Sequence, residues 1–129
     1  MKHKYEFFSL LRQLNVISPE PDPDDDGVDL KNGLKAQKAG FFLHYFGVKP
    51  FDEYGFRTYI NGPYEVLLAD SFYGNEKIWF DAPAELIDEL KWFMSHDDKW
   101  LEVATSIMFF LKRYPSADWK KVLDILKMS

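Results

Sequence analysis

The side chains with spacing that could do chemistry lie in two places. In Asp22-Pro23-Asp24-Asp25-Asp26-Gly27, the carboxylates of Asp22, Asp24 and Asp26 alternate and a glycine follows. That matches the opening of an EF-hand calcium loop, in which alternate oxygens converge on one cation and glycine permits the sharp bend. The twelfth position from Asp22 is Gly33 where a bidentate glutamate belongs, the eighth is Asp29, and no second copy is present. The competing reading is an exposed acidic linker. The second place is Arg57 to Tyr64, where Arg57, Tyr59, Asn61 and Tyr64 put polar groups on an aromatic turn shaped by Gly62-Pro63. Tyrosine and arginine combine a broad contact face with hydrogen bonds, which makes them binding anchors. The plainer alternative is that Tyr59 and Tyr64 wedge the turn onto the core.

No other pattern amounts to an active site. The three histidines, His3, His44 and His96, have no second histidine at metal-ligand spacing. His96 could be a general base paired with Asp97, but a capping or solvated histidine fits the same neighbours better. The serines lack a nucleophile-elbow context, and no glycine-rich loop could wrap a phosphate. With no cysteine, disulfides, thiolate zinc sites and cysteine nucleophiles are excluded. No enzyme, cofactor or dedicated metal chemistry is therefore expected beyond the Asp22, Asp24 and Asp26 reading.

These residues sit in a chain of 129 residues, 47% hydrophobic and 18% aromatic, which suits one folded domain with a substantial core. The net charge of −5 is local: Glu20, Asp22, Asp24, Asp25, Asp26 and Asp29 fall within residues 18–29, and the remainder carries +1. Lys112, Arg113, Lys120, Lys121 and Lys127 make the end mildly basic, which falls short of the clustered basic face that nucleic acid requires and reads as a solvated helix face. Glu6 and Arg12 interrupt any signal-peptide core. The apolar stretches 41–48 and 103–111 are too short to span a bilayer. A cytoplasmic protein with no membrane contact is expected.

Hydrophobic spacing predicts a mainly α fold: a single compact domain of five or six helices with a small β-hairpin-like element. Tyr5, Phe8, Leu11 and Leu14 predict a first helix over residues 2–15. Three prolines between Ser18 and Pro23 stop it. A second helix is expected after Asp29, running to about Phe46, with Leu30, Leu34, Gln37, Phe41 and Tyr45 on one face and a close crossing at Gly40. Phe56 to Ile60 reads as a strand ended by the Asn61-Gly62-Pro63 turn. Ile78-Trp79-Phe80 is expected to pair with it, after a short helix over 65–72. Pro83 opens the next helix, and the His96-Asp97-Asp98 break caps another. That helix, from Trp100 to Leu111, is apolar on most sides and is expected to be the centre of the core. Pro115 ends it, Ser116 caps a last helix, and Trp119, Val122, Leu123 and Leu126 dock that helix.

Leu34-Lys35-Ala36-Gln37-Lys38, Phe41-Phe42-Leu43, Phe56 to Tyr64 and Trp100-Leu101-Glu102-Val103-Ala104-Thr105-Ser106-Ile107 together resemble the prokaryotic YwgA-like family, related to the Panacea (SocA-like) domains. The resemblance covers roughly residues 30–126 and departs from the pattern at Ala36, where leucine is usual, and at Asn61. It implies a compact helical domain. Panacea domains are associated with antitoxins, so it also implies a partner protein that the domain binds, neutralises or chaperones.

The leading expectation is a non-enzymatic interaction or regulatory domain, antitoxin-like or accessory, that binds another protein, either a toxin or a second copy of itself. Its contact residues would be Arg57, Tyr59, Asn61, Gly62, Pro63 and Tyr64. The alternatives are a helical nucleic-acid-binding module using the basic end, and a calcium-binding domain using Asp22, Asp24 and Asp26.

Overall fold

A computed structural model describes residues 1–18, 26–59, 62–112 and 119–128. The fold is mainly helical, with two antiparallel strand pairs set against the helices.

The chain does not begin as a helix. Lys2–Glu6 form β1, and α1 covers only Phe7–Gln13. The helical spacing of Tyr5, Phe8, Leu11 and Leu14 extends too far towards the start of the chain because Glu6 is the N-cap at which the helix begins. Its side chain caps α1, accepting from the amides of Phe8 (3.1 Å) and Ser9 (3.0 Å), and also accepts from the Ile78 amide across the molecule (3.0 Å). A carboxylate satisfies the free amides of a helix start, so α1 begins there. The Ile78 bond aligns β1 with β4, Trp79–Pro83, in a five-residue register from Lys2 opposite Pro83 to Glu6 opposite Trp79. The 78–80 run therefore joins the start of the chain, not the strand near residue 57 that its sequence predicts as partner.

The second helix, α2, spans Asp26–Tyr45 and so starts earlier than Asp29. Ala36, Ala39, Phe41, Phe42 and Leu43 on α2 have no exposure at all, and buried residues run from 36 to 44 around its whole circumference. α2, not the later Trp100–Leu111 segment, is the central helix. α5, Asp98–Leu111, leaves Val103 54% and Phe110 59% exposed. Two small side chains and Gly40 explain why α2 can be surrounded. A Cβ on Gly40 would come within 2.5 Å of the buried Leu68 side chain, so the expected close crossing exists, and α3 (Val66–Tyr73) makes it.

Around α2 the aromatic rings interlock. Phe7 meets Phe51 at 4.9 Å, Phe51 meets Phe80 at 5.4 Å, Phe42 meets Phe93 at 4.9 Å and Phe41 stacks on Phe109 at 4.3 Å. Offset and edge contacts at such distances add to plain burial. Phe51 lies in a short 3-10 turn, Phe51–Glu53. α4, Ala84–Met94, begins one residue after Pro83, which is its N-cap. Asp97 caps α5 as expected, accepting from the Trp100 amide at 2.8 Å. α6, Trp119–Lys127, docks through buried Leu123 and Leu126. The expected roles of Pro115 and Ser116 fall outside the described residues.

Candidate functional site

The Arg57 to Tyr64 segment is a hairpin. β2 is Arg57–Tyr59 and β3 is Gly62–Tyr64, with Arg57 opposite Tyr64 and Tyr59 opposite Gly62. Gly62-Pro63 therefore belongs to the second strand and does not form the turn. Gly62 can start that strand because it takes φ +106°, which other residues rarely adopt. Arg57 is exposed, Pro63 is buried and Tyr64 is half-buried. Asn61 and the Tyr59 side chain lie outside the described residues.

Two short strands do not hold themselves. This pair is held by Gln37 of α2, with Lys38 packed beside it. Gln37, almost wholly buried, donates to the Glu65 carbonyl (3.0 Å) and accepts from the Glu65 amide (2.8 Å), so one side chain satisfies both backbone groups at the end of β3. Lys38, also buried, lies along Gly62, where an added Cβ would sit 3.4 Å from its side chain. Burial pushes the Lys38 ammonium below its usual range, while Asp98 and Glu102 on α5 oppose that shift. Thr105 of α5 approaches the same glycine and returns its hydroxyl to the Leu101 carbonyl at 2.8 Å. The segments around 34–38, 56–64 and 100–107, read separately in the sequence, thus converge on one hairpin.

Near the other end of α2, His44 is buried between Phe41 and Phe56. Its Nε2 meets the Lys112 ammonium, which can only donate, so Nδ1 carries the proton and donates to the Phe51 carbonyl at 2.7 Å. Burial holds the imidazole below its usual pKa and Lys112 adds to this, against the Phe51 bond and the Asp52 and Glu65 carboxylates. Both ring nitrogens are engaged, leaving none to act as a base in this arrangement. His96 does not pair with Asp97: its Nδ1 faces the Phe93 carbonyl at 3.1 Å and its ring stacks on Trp100 at 3.7 Å.

Sequence reasoning missed Glu6, Lys38 and the His44–Lys112 contact. The one available signal was a polar residue within an aromatic run, Glu6 before Phe7-Phe8 and His44 between Phe41 and Phe46; Lys38 carries no such signal.

Tyr64 opens onto a cleft of about 70 Å³ between α2 and α3, lined also by Leu30, Leu34, Ala69 and Tyr73. Leu30 is 57% and Tyr73 62% exposed beside it. Val66, 58% exposed, shares the α3 face of Ala69 and Tyr73 by helical spacing. The result is an apolar strip on the surface, next to the hairpin.

The calcium reading fares differently. Asp22 and Asp24 lie outside the described residues, but α2 begins at Asp26, so the fifth to twelfth positions of that loop are helical. Gly27 lies in a helix and not at a sharp bend, and among the described residues no cluster of three metal-ligating side chains occurs. Of the basic end, Lys112 is turned to His44, and Lys127 pairs with Glu89 at 3.0 Å and lies over Trp92. The side chains of Arg113, Lys120 and Lys121 are outside the described residues. Among the described residues no helix is long and apolar enough to cross a membrane.

No family model, curated protein or solved structure matches this chain.

Proposed function

We propose that this chain is a non-enzymatic protein-interaction domain, antitoxin-like or accessory to a partner protein, as its resemblance to the YwgA-like and Panacea domains implies. The observation that carries the reading is the exposed apolar strip of Leu30, Val66 and Tyr73 beside Tyr64. Large apolar side chains grouped on a surface mark contact sites more often than scattered ones do. The hairpin beside the strip is anchored at the end of β3 by Gln37, so Arg57 and Tyr64 are offered on a fixed frame. A preorganised surface loses little entropy when it binds.

The partner's chemistry follows from the neighbouring charge. Six carboxylates between Glu20 and Asp29 directly precede Leu30 in the chain. A protein presenting an apolar ridge flanked by basic residues would be attracted at distance by the first feature and held by the second. Screening by salt reduces such attraction.

The test is reconstitution. The tagged chain is purified from its native host at low salt, and any stoichiometric companion is produced separately and its affinity measured. Leu30→Asp and Val66→Asp, both at exposed positions, are expected to weaken that complex at least tenfold with an unchanged melting temperature, and added salt is expected to slow association. A complex indifferent to both substitutions would end the assignment to this face. Recovery of the chain alone, monomeric, would end the interaction reading.

A further inference from the structure

A second site lies where the β1–β4 pair meets the turn after α2, on residues unconnected with the apolar strip. Here a depression of about 660 Å³ is lined by Lys2, Lys49, Trp79 and Asp81 over an apolar floor that includes Phe80 and Leu86. That volume is within the range of small-molecule sites, and an apolar floor with a few placed polar groups is their usual make-up. Trp79 is the unusual element. Its indole is 54% exposed on a strand whose next residue, Phe80, is 3% exposed. The Lys4 ammonium lies over one face of the indole, 5.9 Å from its centroid, and Lys4 stands opposite Asp81 in the strand register. Lys2 and Lys49 have no ion-pair partner among the described residues. Lys2, Lys49 and the Asp81 carboxylate therefore share this depression with an exposed indole.

We infer that this depression binds a nucleoside phosphate, its base stacked on Trp79 and its phosphate held by Lys2 and Lys49. An exposed aromatic ring is a platform on which any base can stack, and neighbouring lysines neutralise the phosphate. Asp81 accepts from the sugar hydroxyls or the base amino group and keeps the phosphate at the lysine end. The same chemistry is available from a free nucleotide or from one residue of a single-stranded nucleic acid.

The full chain is titrated with adenosine monophosphate, inorganic phosphate and a short oligodeoxyadenylate, by calorimetry and amide NMR. Saturable binding of the mononucleotide is expected with a Kd below about 1 mM, at least about tenfold tighter than inorganic phosphate, with shifts centred on β4. The double variant Lys2→Ala, Lys49→Ala is expected to weaken it about tenfold without lowering the melting temperature, since both side chains are exposed. Trp79→Ala, checked for an intact fold, is expected to abolish it. An oligonucleotide that competes and binds more tightly identifies single strands as the source; a mononucleotide that binds where the oligonucleotide does not identifies the free ligand. Absence of binding by both, or binding unchanged in the lysine variant, would overturn the site.

Discussion

The two strand pairs solve one problem with different chemistry. Each is too short to stand alone, and each is tied to the helices by a single buried side chain bonded to backbone groups. For β1–β4 the tie is Glu6, an ionised group receiving three amides. For β2–β3 it is Gln37, a neutral amide that both donates and accepts. A carboxylate can only accept, so it suits a junction where a helix start and a strand start both present N–H groups. An amide suits the end of β3, where one residue presents an N–H and a carbonyl together. The charged tie makes the first pair sensitive to acid, and the neutral tie leaves the second indifferent to it.

The largest expected effect comes from breaking the charged tie. Glu6→Ala strands three backbone donors, and a loss on the order of 3 kcal/mol in urea unfolding is expected. Burial alone would raise the Glu6 pKa, but the bonds from Ile78, Ser9 and Phe8 outweigh it and hold the carboxyl below its ordinary value of 4.5. The unfolded chain therefore binds the proton more readily. The contribution of Glu6 is complete above 4.5 and disappears as pH falls through the lower folded value, so Glu6→Gln should show a weaker acid dependence than the parent.

Breaking the neutral tie is expected to cost about 2 kcal/mol in Gln37→Ala, with no change in pH dependence. Gln37→Glu sharpens the contrast. Its carboxylate would face the Glu65 carbonyl without a proton to donate, so this variant should gain stability as pH falls, opposite in sign to Glu6. Unfolding midpoints across an acid series distinguish the two.

Gly40→Ala tests whether the central helix needs its gap. Overpacking against Leu68 costs about 1–3 kcal/mol while the helix gains about 1 kcal/mol from alanine, so a net loss near 1 kcal/mol is expected in thermal unfolding. The smallest effect is expected at His44. Its folded pKa lies below 6.5, so its contribution is present above 6.5 and declines as pH falls towards the folded value. His44→Phe should flatten the stability profile over that interval, read from unfolding midpoints across a pH series.

Much of the architecture is legible in the order of residues. The helices at 66–73, 84–94 and 98–111 follow from local spacing and from caps such as Asp97, because those forces act within a few residues. Gly40 was readable as a crossing for the same reason: a missing Cβ in a helix implies a close neighbour. The candidate anchors of the hairpin were readable as types, Arg57 and Tyr64 above all, but not as a surface.

What local order could not settle was partnership between distant segments. The pairing of β1 with β4 rests on a carboxylate at position 6 reaching an amide at position 78, and no periodicity encodes that. The apolar pattern of α5 looks more central than that of α2, yet small side chains and Gly40 let residues 36–44 of α2 be enclosed on every side. Hydrophobicity can be read one residue at a time. Enclosure depends on which surfaces fit together, and in this protein only the tertiary structure decided that.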